Sequence, residues 1–136
     1  MVTAVDSSVI FDLVNRRGPY GLVSRNALQT CLAEGRLLAC EVVWAEVRGA
    51  FASAADIRQM FEELGIEFSP LAVEAALEAG KAWKDYRERG GSRNRVAPDF
   101  LIGAHALIQA DRLLTRDGGF YRAYFKHLRV FDPTHH

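Results

Sequence analysis

Short apolar runs alternate with longer amphipathic stretches along the whole chain. The apolar runs predict strands at 2–5, 37–40, 66–68, 112–115 and 129–131. Between them, apolar residues recur with the spacing of one helix face, which predicts helices at 7–15, 22–34, 41–51, 55–64, 70–89, 99–110 and 120–124. Strands separated by helices pair in parallel through right-handed crossovers. We therefore expect an α/β fold, a three-layer α/β/α sandwich with a central parallel sheet.

Serine and glycine mark the ends of several predicted helices. Ser7 and Ser53 stand where a capping side chain would begin the first and fourth helices. Gly35 and Gly65 stand where the second and fourth helices end. The glycine-rich stretch "RGGSRNRVAP" at 89–98 predicts a loop between the fifth and sixth helices.

Length and composition restrict the class of protein. The 136 residues, 49% hydrophobic and 25% charged, predict one globular domain over residues 1–134, with His135 and His136 as the start of a purification tag. No apolar run is long enough to span a membrane and no signal peptide is visible, so we expect a cytoplasmic protein without a membrane partner. Cys31 and Cys40 form no CxxC motif, and we expect them to be reduced and buried rather than bound to zinc. The 17 basic and 17 acidic residues give a net charge of zero, so any nucleic-acid contact must come from local patches.

Two aspartates follow predicted strands. Asp6 comes directly after the first strand, and Asp117 comes two residues after the fourth. In open parallel sheets, ligands bind beyond the carboxyl ends of the strands. Aspartate is also common at such positions as a helix-start or turn residue. Either acid alone is therefore equally consistent with a structural role.

Two further acids lie on helix faces that we expect to be buried. In "EVVWAEVRGAF", Glu46 lies between Val42 and Ala50 inside the apolar stripe. In "PDFLIGAHALIQA", Asp99 shares its side of the helix with Ile102. A buried carboxylate is costly unless it is paired, hydrogen-bonded or bound to a metal. The structural alternatives are an ion pair with a buried arginine for Glu46 and a favourable position at the helix N-terminus for Asp99.

Four acids gathered at one edge of a sheet would need a cation. Crowded carboxylates repel one another, and some would keep their protons without a positive charge nearby. Their hard oxygen ligands suit Mg²⁺ or Mn²⁺ rather than zinc. Such ions can stabilise the attacking and leaving oxygens of an in-line displacement at a phosphodiester.

Four motifs in order, "VDSSVIFDL", "VVWAEV", "APDFLIGAHAL" and "LLTRDGGF", resemble those of PIN-domain nucleases. The small size resembles the VapC toxins of bacterial and archaeal toxin–antitoxin pairs. The resemblance implies a Mg²⁺- or Mn²⁺-dependent endoribonuclease that acts on an RNA substrate, is restrained by a cognate antitoxin and forms a homodimer. It also implies that the catalytic and metal-binding acids are Asp6, Glu46, Asp99 and Asp117. Supporting hydrogen bonds would come from Thr115, Ser7 and Ser8.

Several other residues have weaker roles in this hypothesis. Arg93, Arg95 and Arg116 are candidates for contacts with substrate phosphates, with ordinary surface arginines as the alternative. Asp12 is expected at the surface, as the best reserve ligand, and Tyr121 is expected to pack in the core rather than stack on a base.

Two other functions remain open at this point. One is a PIN nuclease of RNA maturation or decay outside a toxin pair, which the upstream gene would distinguish. The other is a non-catalytic regulator domain in which clustered acids hold Mg²⁺. Against the regulator, "LLT" is followed by arginine and aspartate rather than by a lysine.

Overall fold

Five parallel strands form the central sheet of the computed structural model, which describes residues 1–91 and 97–135. The strands are β1 (Val2–Val5), β2 (Arg36–Ala39), β3 (Ile66–Phe68), β4 (Arg112–Leu114) and β5 (Val130–Phe131). Their order across the sheet is β3-β2-β1-β4-β5, and every neighbouring pair is parallel. The strands are short and apolar because both faces of a parallel sheet are covered by helices.

Seven helices in the described ranges connect these strands. They are α1 (Ser7–Val14), α2 (Gly21–Glu34), α3 (Glu41–Arg48), α4 (Ala54–Leu64), α5 (Val73–Glu88), α6 (Ala97–Gln109) and α7 (Gly118–Tyr124). None of the helices in the described ranges is long and apolar enough to cross a membrane. The arrangement confirms the expected α/β/α sandwich with a parallel sheet.

The side of the sheet on which successive strands are added changes between β1 and β4. From β1 the chain adds β2 and β3 on one side, and then crosses over to add β4 and β5 on the other. Val5 is paired with Leu114, and the Asp6 N–H donates to the Leu114 carbonyl at 3.0 Å. The first residues beyond β1 and β4, Asp6 and Thr115, therefore leave the sheet side by side. Such a switch point is where open α/β sheets bind ligands.

An aromatic cluster holds α5, α6 and α7 together. Tyr86 of α5 lies 5.4 Å from the ring of Phe100 and 5.3 Å from that of Tyr124, measured between ring centroids. A Cβ added at Gly103 of α6 would lie 2.4 Å from the ring of Phe125. Because only glycine permits this approach, α6 packs directly against the segment that follows α7. The packing fixes the start of α6, which carries Asp99, relative to the end of β4.

Two predicted helix boundaries need correction by three residues each. The helix predicted from residue 70 begins at Val73, because the N–H of Leu71 donates to the Glu41 carboxylate at 3.0 Å and that of Ala72 donates to Gln109 at 2.9 Å. These contacts hold the segment before Val73 in an extended form, with ψ of 158° at Ala72, so it does not join the helix. The helix predicted through residue 51 ends at Arg48.

The first helix begins differently from the prediction. Asp6 occupies the N-cap position, and Ser7 is already helical, so the prediction of a Ser7 cap is wrong. Ser53 does cap α4, accepting a hydrogen bond from the Asp56 N–H at 3.2 Å. Gly65 ends α4 in the left-handed conformation with φ of 73°, as a glycine at this position permits.

Candidate active site

Asp6 is the most buried acid of the site, with 5% of its surface exposed. The Thr115 hydroxyl donates to Asp6 Oδ2 at 2.6 Å, and the Ser8 hydroxyl donates to the same oxygen at 3.1 Å. The Asp117 N–H in turn donates to Thr115 Oγ1 at 2.9 Å. Thr115 therefore joins the ends of β1 and β4 and fixes the Asp6 carboxylate.

The Ser7 hydroxyl connects Asp6 with α3. It lies 3.1 Å from Glu46 Oε1 and 3.4 Å from Asp6 Oδ1, and its single proton can be donated to only one of them at a time. The shorter contact favours Glu46. A serine at the first turn of α1 thereby places the Glu46 carboxylate beside the Asp6 carboxylate.

Glu46 does not lie on the buried helix face that the helical pattern predicted. The buried residues of α3 are Val43 and Val47, whereas Glu46 is exposed overall and Ala50 lies beyond the helix. The prediction of a buried apolar stripe through Glu46 is wrong, because α3 ends too early for Ala50 to extend it. Glu46 lies at the edge of the buried face, with its carboxylate turned toward Ser7.

The acids raise one another's pKa. Burial raises the pKa of Asp6, and the charge of Asp99 adds to this, while the hydroxyls of Thr115 and Ser8 oppose it. Partial burial of its carboxylate also raises the pKa of Glu46, Ser7 opposes this, and the charges of Asp6 and Asp99 add to it. The pocket therefore disfavours further negative charge and favours a cation.

Asp99 and Asp117 enter the same region from two other elements. Asp99 is the third residue of α6, and Asp117 directly precedes α7; both are half-buried. Burial raises the pKa of the Tyr121 phenol, and the charges of both carboxylates raise it further, together with those of Asp6 and Glu46. The four predicted acids thus surround one region, although each comes from a different part of the chain.

The donor set fits a hard divalent cation held partly through water. All four groups are carboxylates, the ligands that Mg²⁺ and Mn²⁺ prefer. Within residues 1–91 and 97–135, no three acidic, histidine or cysteine side chains converge closely enough to enclose one ion. Mg²⁺ characteristically takes one or two carboxylates and keeps several waters. This arrangement suits such a mixed shell better than a closed cage of protein ligands.

Asp12 is not the exposed reserve ligand that the sequence indicated. It is buried, and Arg116 donates to it with both Nε, at 2.5 Å, and Nη2, at 2.8 Å. The Ser24 hydroxyl donates to Asp12 Oδ2 at 2.7 Å, and Arg116 lies 4.0 Å above the ring of Tyr20. This gives Arg116 a structural role in joining the β4 end to α1. Arg93 and Arg95 lie outside the described residues.

The sequence did not indicate the contribution of the Tyr121 hydroxyl. Tyr121 is buried as expected, with 1% of its surface exposed, yet its hydroxyl has no hydrogen-bond partner in the described part of the chain. The signal available in the sequence was its spacing, four residues after Asp117, which places the two on one side of a helix.

The sequence matches the family described as PIN domain over residues 3–126. No curated protein sequence matches the chain significantly. Among solved structures, VapBC-1 from nontypeable Haemophilus influenzae is similar with a TM-score of 0.76 at 22% identity, covering 98% of this chain and 99% of that chain.

Two further structures show the same likeness. VapBC2 from Rickettsia felis, bound to a DNA fragment from its promoter, has a TM-score of 0.75 at 14% identity, covering 97% of this chain and 98% of that chain. FitAcB from Neisseria gonorrhoeae has a TM-score of 0.71 at 19% identity, and both chains are covered completely, 100% each. At such identities the likeness shows a shared fold.

Proposed function

The chain belongs to the PIN-domain family, and from this premise we propose that it is a Mg²⁺- or Mn²⁺-dependent endoribonuclease. Residues 1–134 would act as one nuclease unit in the cytoplasm. Its catalytic and metal-holding groups would be Asp6, Glu46, Asp99 and Asp117. The observation that carries the proposal is the gathering of these carboxylates around the switch point of the sheet, where burial, together with the charge of Asp99, raises the pKa of Asp6 and Glu46.

The proposed mechanism is hydrolysis of a phosphodiester. A divalent ion in the pocket would activate water and neutralise charge that develops on the phosphate. Thr115 and Ser8 hold the Asp6 carboxylate in one orientation through hydrogen bonds of 2.6 and 3.1 Å. The Ser7 hydroxyl holds the Glu46 carboxylate beside that of Asp6. Fixed carboxylates keep the bound groups aligned, which is the main contribution that a protein makes to such a reaction.

The negative charge of the pocket supports the proposal that a cation takes part. A phosphodiester that approaches four carboxylates meets like charge at short range, and partial burial strengthens this repulsion. Protons on Asp6 and Glu46 would relieve only part of it. The four carboxylates, if they held a divalent cation, would have their charge offset, and a phosphodiester could then approach.

The test is cleavage of a mixed RNA pool with Mg²⁺, with Mn²⁺ and with EDTA. We expect cuts that leave 3′-hydroxyl and 5′-phosphate ends, loss of cutting in EDTA, and about 100-fold slower cleavage by Asp99→Asn, as for loss of a metal-site group. The matched control is Asp85→Asn, which removes an exposed acid of α5. Full activity of Asp99→Asn, or cleavage that persists in EDTA, would contradict the proposal. DNA of the same sequence tests whether the preference is for RNA.

We further propose that the chain is the toxin of a toxin–antitoxin pair and forms a homodimer. This is supported by the fold that it shares with VapBC-1 and VapBC2, at TM-scores of 0.76 and 0.75. Expression of the chain alone should arrest bacterial growth, and co-expression of the small reading frame upstream should restore it. Normal growth on expression of an RNA-cutting chain would instead favour a nuclease of RNA maturation or decay.

A further inference from the structure

The Tyr121 hydroxyl is a buried polar group without a partner. The side chain is 1% exposed, and within the described residues nothing accepts a hydrogen bond from its hydroxyl or donates one to it. Within the described residues no protein group replaces the hydrogen bonds that this hydroxyl makes in the unfolded chain, a costly arrangement that native proteins retain only rarely. Phenylalanine would fill the same space without that cost.

The position of Tyr121 on α7 directs its ring toward the acidic pocket. Tyr121 lies one helical turn after Asp117, and its N–H lies 3.5 Å from the Asp117 carbonyl. Side chains on a helix lean toward its N-terminus, so the ring covers the turn that begins at Asp117. Phe120 and Phe125 pack against the ring with centroids at 5.2 and 6.5 Å and hold it in place.

The electrostatic surroundings of the phenol agree with this direction. Burial is the main cause of its raised pKa, and all four acids of the pocket add to it, Asp6 most strongly. A phenol hydroxyl carries one proton, which it can donate to a carboxylate. Among the described residues, Asp6 Oδ2 accepts from Thr115 and Ser8, whereas the contact of Oδ1 is the long one with the Ser7 hydroxyl, at 3.4 Å. Oδ1 is therefore the oxygen with acceptor capacity left for a further donor.

We propose that Tyr121 is a positioning residue, whose hydroxyl donates to Asp6 Oδ1 when the pocket holds a divalent cation. The inference rests on the proposed function. A carboxylate binds a divalent cation as the anion, and a hydrogen bond to an ionised carboxylate is stronger than one to a neutral acid. Outer hydrogen bonds of this kind orient metal-holding carboxylates and raise metal affinity. The Tyr121 hydroxyl thus gains its acceptor when the pocket holds a cation and lacks one among the described residues when the pocket does not.

The test is Tyr121→Phe, which removes only the hydroxyl. We expect its Kd for Mn²⁺, measured by calorimetric titration, to rise about 10- to 100-fold over that of the wild type. The melting temperature in EDTA should be unchanged or higher, because a buried group without a partner is removed. Tyr124→Phe, on the same helix and half-buried, is the control and should change neither quantity.

The outcomes separate this inference from the proposed function. If the wild type binds no Mn²⁺, the proposed function fails and the inference fails with it. If the wild type binds Mn²⁺ and Tyr121→Phe binds it equally well, only the inference is overturned. A lower melting temperature of Tyr121→Phe in EDTA would also overturn it, since the hydroxyl would then be stabilising the metal-free fold.

Discussion

Replacing Thr115 with valine should destabilise the protein more than its size change suggests. The side chain is fully buried, and valine keeps its shape while replacing the hydroxyl by a methyl group. Two hydrogen bonds are lost, the one donated to Asp6 at 2.6 Å and the one accepted from the Asp117 N–H at 2.9 Å. A bond to a charged group contributes about 2 kcal/mol and a neutral one about 1 kcal/mol. We therefore expect a loss of about 3 kcal/mol in the free energy of unfolding, or roughly 10 °C in Tm.

The loss should depend on pH in a defined direction. Thr115 lowers the pKa of Asp6 against the effect of burial, so Thr115→Val should raise that pKa further. A folded-state pKa above the unfolded value means that the folded protein binds more protons. Stability then falls as the pH rises from the ordinary aspartate pKa through the raised one. The difference between Thr115→Val and the wild type should accordingly be larger at pH 8 than at pH 5.

Urea unfolding in EDTA at these two pH values measures both effects. Thr115→Ser is the matched control, because it keeps the hydroxyl and removes one methyl group, at a cost of about 1 kcal/mol with little pH dependence. Equal destabilisation by Thr115→Val and Thr115→Ser would refute the assignment of the two hydrogen bonds. A larger loss at pH 5 than at pH 8 would refute the electrostatic argument for Asp6.

Three further changes test separate parts of the structure. Asp6→Asn removes a carboxylate whose pKa is raised by burial, so in EDTA the variant should be more stable than the wild type at pH 8, with a gain that shrinks toward pH 5 in urea titrations. Arg116→Ala breaks the ion pair with Asp12, whose side chains are 29% and 8% exposed, and calorimetry should show a loss of about 2 kcal/mol after allowance for partial exposure. Gly103→Ala places a Cβ 2.4 Å from an aromatic ring and should cost about 2 kcal/mol in thermal unfolding.

Each of these changes has a contradicting result, and Arg116→Ala and Gly103→Ala each have a matched control. If Asp6→Asn were as stable as the wild type across the pH range, burial of the ionised Asp6 carboxylate would not destabilise the fold, and the prediction would be contradicted. Arg89→Ala breaks an exposed pair and should cost less than about 1 kcal/mol; an equal cost for Arg116→Ala would contradict the buried pair. Gly80→Ala adds a Cβ in open space among the described residues of α5 and should be neutral or slightly stabilising, unlike Gly103→Ala.

Local patterns were sufficient to predict the architecture. Short apolar runs predicted all five strands of the described residues, and helical periodicity predicted the helices between them. The alternation of strands and helices predicted the parallel sheet. Asp6 and Asp117 were predicted at the edge of the sheet because strand ends are visible in the sequence. The start of α5 was less predictable, because the distant side chains of Glu41 and Gln109 bind the residues before it.

The details of the site depend on contacts between distant parts of the chain. Asp12 is buried because Arg116, 104 residues away, neutralises it. The Glu46 carboxylate is directed by Ser7, 39 residues away, rather than by its own helix face. The role proposed for the Tyr121 hydroxyl depends on its position beside the acidic pocket, which the sequence does not reveal. Pairings of this kind leave no periodic signal, so the sequence pattern indicated which acids to consider but not which groups hold them.

The central claim is that the acids at the switch point form a site for a divalent cation. Anomalous diffraction from crystals soaked in Mn²⁺ tests it most directly. We expect a peak within coordination distance of Asp6 or Asp99, and we expect it to be lost in crystals of Asp99→Asn. A peak elsewhere on the protein, or no peak in the pocket of the wild type at Mn²⁺ concentrations that support RNA cleavage, would contradict the claim.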